Sequence, residues 1–264
     1  MRILVTNDDG INSDGLWRLA YSLTSVGVVS IVAPDRDRSG VGLATTLLDV
    51  IRVNNVSSPY NDIDAISVEG TPSDCVILAN DELFDEDFDL IVSGVNYGSN
   101  LGKDILYSGT VGAAIHGQLG GIPSIAVSVE SVDMVDYDLA IRSVASIANA
   151  VVDIASNHIP LININIPNDG TEPINGVCVT KPGVQAYLKR VEKFHEGRRT
   201  YYRIKHDKAN DIGIEEYSDI WAIRNQLVSI SSISLGETNL LPIKNLQILA
   251  GLVSKELEIP IFEK

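Results

Sequence analysis

The 264-residue chain is 45% hydrophobic and 21% charged, which makes it long enough to bury a substantial core and too apolar for intrinsic disorder. Its formal net charge of −15 excludes a general nucleic-acid binder, whose affinity rests on a basic face set against the phosphate backbone. Cys75 and Cys178 are too few for a disulfide framework and read as buried apolar residues, and with neither a signal-peptide pattern nor a bilayer-length apolar run the expected location is cytoplasmic, away from any membrane.

In chain order, residues 3–6 form a β-branched apolar run that reads as a buried strand, followed by the turn Asn7-Asp8-Asp9-Gly10. Ser13 then precedes a helical face of Leu16, Leu19, Ala20 and Leu23. Ligands of open α/β sheets bind outside the carboxyl ends of the strands, and the two aspartates stand at such an end. A pair of carboxylates there repels an anion unless a cation lies between, so a hard divalent metal held through oxygen is one reading. A solvent-facing turn that caps the helix is the other, and these four residues alone leave both open.

Residues 28–33 read as a second strand, ending in the charged loop Pro34-Asp35-Arg36-Asp37-Arg38-Ser39-Gly40-Val41-Gly42. Gly40 and Gly42 begin a GxG, but the third glycine of a dinucleotide fingerprint is missing, and the acidic and basic residues suit a solvated loop with local ion pairs. Residues 44–56 and 64–68 are expected strands, and Gly70-Thr71-Pro72-Ser73-Asp74 a helix start with Pro72 in the first turn. The acidic stretch 81–89 suits a solvated surface.

A third apolar strand, 90–95, leads into glycines at Gly94, Gly98 and Gly102 whose spacing does not match a Walker A loop. Ser108-Gly109-Thr110 opens a helical run over 111–119, and free amides and hydroxyls at such a start can hold a phosphate or simply cap the helix. Asn96, Ser108 and Thr110 would face the edge that carries Asp8 and Asp9.

Further expected elements are a strand at 123–129, a surface helix at 137–156 and a strand at 161–166 in which Asn163 and Asn165 alternate with apolar residues. Four strands alternating with helices argue for a Rossmann-like, doubly wound, mostly parallel α/β sheet. A Rossmann-like catalytic core is expected over 1–167, completed by an extension over 168–264 with a projecting arm and a C-terminal helix. From 168 to 264 the composition shifts, with strand segments at 176–180 and 201–205 and a last amphipathic helix over 240–253. The basic residues Lys189, Arg190, Lys193, Arg198 and Arg199, interleaved with Tyr187, Phe194, Tyr201 and Tyr202, suggest a projecting arm that packs on a partner subunit.

Five motifs in order and spacing, NDDG, APDRDRSGVG, EGTPSDCV, SGVNYGSNLG and YSGTVGAA, resemble those of the SurE family (survival protein E), metal-dependent phosphatases that act as nucleoside-monophosphate nucleotidases. The likeness is close over the first half of the chain and looser to its end. It implies one divalent ion per subunit, Mg²⁺ or Mn²⁺, on Asp8, Asp9, Ser39 and Asn96, and a phosphate-holding segment at Ser108, Gly109 and Thr110 with Asn100 and Gly40 beside it. Asp8, Asp9, Ser108 and Thr110 would then carry the catalysis. The implied activity is that of a 5′-nucleotidase, with 3′-monophosphates and short polyphosphate as further substrates, in a homodimer or homotetramer. Asp8 could attack phosphorus directly or orient a water, and sequence leaves both open.

Two competing readings stand beside this one. A haloacid-dehalogenase-type phosphatase needs D-x-D where this chain has Asn7-Asp8-Asp9-Gly10, and a nucleotide-binding sensor would use the same pocket without turnover. The chain departs from the family pattern at His116, where relatives commonly carry an acidic residue, and between Ser218 and Ser232, which bears on base selection and subunit contacts.

Overall fold

The computed structural model describes residues 1–60, 63–130, 137–155, 159–167, 173–184, 187–197, 199–208, 214–234 and 241–262. Strands β1 (Arg2–Thr6), β2 (Val28–Pro34), β3 (Val53–Val56), β4 (Asp64–Val68), β5 (Leu90–Tyr97), β6 (Ser124–Val129) and β7 (Leu161–Ile166) alternate with helices α1 (Asp14–Leu23), α2 (Pro72–Leu78), α3 (Gly109–Leu119) and α4 (Asp138–Ile154). Beyond them come β8 (Gly176–Val179), β9 (Tyr187–Glu196), β10 (Arg199–Lys208), α5 (Asp219–Arg224), β11 (Leu227–Ser232), α6 (Ile243–Leu257) and β12 (Ile261–Phe262).

Ten strands make one sheet in the order β12-β8-β11-β7-β6-β5-β1-β2-β4-β3. All neighbours run parallel except β3 on β4 and β11 on β7. Alternation along the strands divides the core, since Ile3 and Val5 of β1 join α1, α4 and α6 on one face, whereas Leu4 joins α2 and α3 on the other. The chain winds outward from β1 through β2 and β4, then returns to β5 and winds the opposite way. The switch point therefore falls between β1 and β5, where such sheets open a ligand crevice.

One difference from the sequence reading has a physical cause. The strand expected over 44–56 is confined to Val53–Val56; Leu47, Leu48 and Val50 before it are 85%, 99% and 99% exposed, and their apolar character mimicked a strand that has no sheet to join. Thr46 in that stretch is instead tied to Asp74, whose carboxylate takes the Thr46 N–H and hydroxyl (2.8 and 2.7 Å) and the Thr71 N–H (2.8 Å), making the EGTPSDCV motif a capping box that also anchors a loop. The segment 176–262 also adds β8, β11 and β12 to the main sheet, with the direction reversing at β7.

The basic arm is a ten-pair antiparallel hairpin of β9 and β10, wider than the single segment expected at 201–205, and it forms a two-stranded sheet of its own. Arg190, Lys193 and Arg199 lie on it; Arg198 and the side chains of Tyr187 and Lys189 fall outside the described residues. The last helix runs over Ile243–Leu257, its expected start at Leu240 likewise lying outside them. Cys75 and Cys178 are free and buried, and among the described residues no helix is long and apolar enough to cross a membrane.

Candidate active site

The turn after β1 is shaped by its own side chains and by the loop after β2. Asn7 closes it with two hydrogen bonds to Gly10, amide to carbonyl and N–H to side-chain oxygen, both 3.1 Å. Gly10 sits at φ +94°, and a Cβ there would come within 2.8 Å of the Arg36 backbone, so this position demands glycine. The Arg38 N–H donates to the Asp8 carbonyl (2.7 Å) and the Ile11 N–H to that of Pro34 (2.8 Å), which binds the two strand ends into one wall.

Asp8 is 4% exposed. Burial pushes its carboxyl up from the ordinary value, and the Thr110 hydroxyl and backbone N–H, both donating to it, pull it back. The hydroxyl bond is 2.5 Å long. Asp9 is raised to about 7, by burial first, then by the Asp8 charge and by Asp37, against the lowering effect of the Tyr97 backbone amide. Its Oδ2 is buried with no hydrogen-bond partner. The Arg38 guanidinium of the neighbouring loop pairs with Asp35 (3.1 Å).

An open cavity of about 610 Å³ lies against this turn, lined by Asp8, Ser39, Gly40, Asn96 to Asn100, Asp104, Tyr107 and Ser108. Ser39 reaches it from the β2 loop, its backbone N–H and hydroxyl both donating to Asp37 Oδ1 (2.7 and 2.6 Å), so its oxygen lone pairs stay available. Asn96 reaches it from the end of β5, where Gly94 and Val95 on β5 stand opposite the single residue Val127 on β6. Its amide nitrogen donates to the Gly98 carbonyl (2.5 Å), which leaves the side-chain oxygen as the donor atom for a cation.

Of the residues singled out in the sequence, Asp8, Ser39, Gly40, Asn96, Asn100 and Ser108 meet around this space. Asp9, Gly109 and Thr110 adjoin the lining without being part of it. Thr110 is fully buried and bonded to Asp8, and Gly109 lets α3 approach that carboxylate, since a Cβ there would lie 2.8 Å from Asp8 Cβ. Ser108 caps α3, its hydroxyl oxygen accepting from the Val111 N–H (3.1 Å) while its own proton is free to be donated. His116 lines a separate cavity with Val76 and Asn80.

Sequence reasoning missed the supports. Asn163 and Asn165 of β7 both donate to the Asn100 carbonyl (3.0 and 3.1 Å), Asn165 also accepts the Asn100 N–H (2.8 Å), and the Asn100 amide donates to Ser128 (2.8 Å). The signal was the polar alternation in β7, where two amides occupy positions buried as fully as their isoleucine neighbours. Tyr97, Ser99, Asp104 and Tyr107 were also passed over as lining residues.

The donor set fits a hard cation. Buried Asp8 lines the cavity with the Ser39 hydroxyl and the Asn96 amide, and half-buried Asp9 adjoins it with an Oδ2 unpartnered among the described residues, all oxygen donors with no imidazole or thiolate. Among the described residues no three His, Cys, Asp or Glu side chains converge, so a cation here must draw on hydroxyl and amide oxygens as well.

Known proteins resemble this chain in sequence and in fold. The family model described as Survival protein SurE matches residues 3–189. The 5′-nucleotidase SurE of Dehalococcoides mccartyi is 44% identical over 238 residues, covering 88% of either chain. That of Moorella thermoacetica is 39% identical over 240 residues, covering 90% of this chain and 92% of its own. The crystal structure of the SurE protein from Aquifex aeolicus superposes with a TM-score of 0.75 at 36% identity, over 90% of this chain and 95% of that one. With motifs, sheet order and these relatives in agreement over nearly its whole length, the chain belongs to the SurE family.

Proposed function

We propose that the protein is a divalent-metal-dependent phosphomonoesterase that releases phosphate from nucleoside 5′-monophosphates, with 3′-monophosphates and short polyphosphate as further substrates. The observation that carries this reading is the adjacent pair of buried Asp8 and half-buried Asp9, the latter with an Oδ2 unpartnered among the described residues, beside the Ser108 start of α3. The curated relatives named 5′-nucleotidase SurE support the same activity.

In this reading Asp8, Asp9, Ser39 and Asn96 hold one Mg²⁺ or Mn²⁺ per subunit. The bound ion supplies positive charge against the phosphoryl oxygens and acidifies the attacking water. Asn100, Gly40 and Ser108 line the space for the phosphate, with Gly109 at the helix start, where the dipole favours an anion. The Ser108 hydroxyl donates to a phosphoryl oxygen as charge develops there. Thr110 acts one step back by fixing the rotamer of Asp8. Asp8 is also the group placed to orient the nucleophile for in-line attack.

The arm supports assembly with a second copy as a dimer or tetramer. One face of the hairpin carries Val191, Tyr202 and Ile204, each more than 60% exposed, while the other face is laced by Arg190–Glu192 and Lys205–Glu192 ion pairs. A cytoplasmic setting and a division at about residue 167 belong to the same reading, two free buried thiols suiting a reducing compartment.

The test is phosphate release from a panel of nucleoside monophosphates and polyphosphate, with Mg²⁺, with Mn²⁺ and with chelator. Turnover of the 5′-monophosphates that chelator abolishes is expected. Turnover indifferent to chelator would remove the metal, and tight nucleotide binding without turnover would leave a sensor.

A further inference from the structure

Outside the cavity, one buried acid has no place in the chemistry above. Asp219, the first residue of α5, is fully buried, and two of the three amides it binds are distant in sequence. Its Oδ2 accepts the Gly102 N–H (2.7 Å), and its Oδ1 accepts those of Gly183 (2.7 Å) and Ile220 (2.8 Å). Among the described residues no cation pairs with it. Burial pushes the carboxyl up from its ordinary value while the three amides pull it back.

What it holds is the segment that walls the cavity. Between Gly98 and Ser108 the chain contributes Gly98, Ser99, Asn100, Asp104, Tyr107 and Ser108 to the lining. Asn100 is fixed from β6 and β7, Leu101 packs against Ile220 and Ile223 of α5, and Gly102 is fixed by Asp219. The same carboxylate also grips Gly183, a few residues before the arm begins at Tyr187.

We propose that Asp219 is a positioning residue for the active site: by binding the Gly102 and Gly183 amides at once, it locks the Asn100–Ser108 wall of the cavity to the base of the arm. The proposal rests on the phosphatase reading for its kinetic readout only. Its structural readout stands alone.

Asp219→Asn tests it. An amide side chain keeps one accepting oxygen, which can serve Gly183 and Ile220, but then turns an NH₂ toward the Gly102 N–H and releases it. Ser218→Ala is the control: it removes the cap that accepts the Trp221 N–H, weakening α5 without touching Gly102. In the full-length protein, Asp219→Asn should speed hydrogen exchange at the Gly102 amide about tenfold or more and lower kcat by about ten- to a hundredfold, the cost of a wall misplaced by about an ångström, with KM within about threefold. Ser218→Ala should lower Tm and leave kcat and Gly102 exchange as they were. Leu101→Ala, which frees the same segment without altering the carboxylate, should reproduce the kcat loss if Asp219→Asn fails to fold. Wild-type kcat in Asp219→Asn, or in Leu101→Ala, overturns the proposal, as does an equal kcat loss in Ser218→Ala. If the wild type releases no phosphate from any nucleotide, the phosphatase reading fails, and Gly102 exchange alone decides for or against Asp219.

Discussion

Asp9 combines a buried oxygen, unpartnered among the described residues, with a carboxyl raised to about 7, first by burial and then by the negative charge of Asp8 and Asp37. Unfolding returns Asp9 to its ordinary 3.8. Between those two values the folded state holds a proton that the unfolded chain has already released, so the stability of the metal-free protein falls as pH rises from about 4 to about 7. The loss is on the order of 2 kcal/mol, after allowance for solvent beside this part-exposed group. Urea titrations in chelator at about pH 5 and about pH 7.5 should show it, Asp9→Asn should remove it, and Mn²⁺ should restore the wild type at the higher pH. A decline that persists unchanged in Asp9→Asn would place its origin elsewhere.

Where α3 meets the β1 turn, two elements come closer than side chains ordinarily permit. Gly109→Ala would set a methyl 2.8 Å from Asp8 Cβ and 3.2 Å from Pro72 Cγ. Alanine favours the helix by up to about 1 kcal/mol, which offsets part of the crowding, while Asp8 must shift. The expected result is a fall in kcat/KM of about tenfold or more with a nearly unchanged Tm, measured on a nucleoside monophosphate. Full activity would mean that α3 can retreat without consequence. The elements themselves were largely legible in the sequence, because β-branched runs, the Ser108 cap and the Thr71–Asp74 box are local signals. The partnerships were not. Nothing near Thr110 announces that it reaches Asp8, nothing near Asn165 announces Asn100, and Leu47, Leu48 and Val50 carried a strand-like pattern into a loop tied to Asp74 and Thr71. Such links span 28 to 102 residues of sequence, and composition carries no record of them.

Taken as a whole, the molecule is strongly acidic, yet its separate β9–β10 hairpin is basic and carries exposed apolar side chains on one face. A two-stranded hairpin is marginal in water by itself, and Val191 stands directly opposite Ile204 on its bare face. Ile204→Lys should therefore weaken assembly by about 2 kcal/mol, close to thirtyfold in dissociation constant, and move the protein to smaller species in sedimentation. Unchanged sedimentation would assign the arm to another partner. The wiring of the cavity has a consequence for how the protein is made. Every residue that lines it has left the ribosome once Ser108 has, but the Asn100 segment then still lacks Ser128, Asn163, Asn165 and, last of all, Asp219. A nascent or prematurely terminated chain thus displays all the lining residues without the braces that set the wall in place, and the final fastening arrives only when more than four-fifths of the chain has been translated.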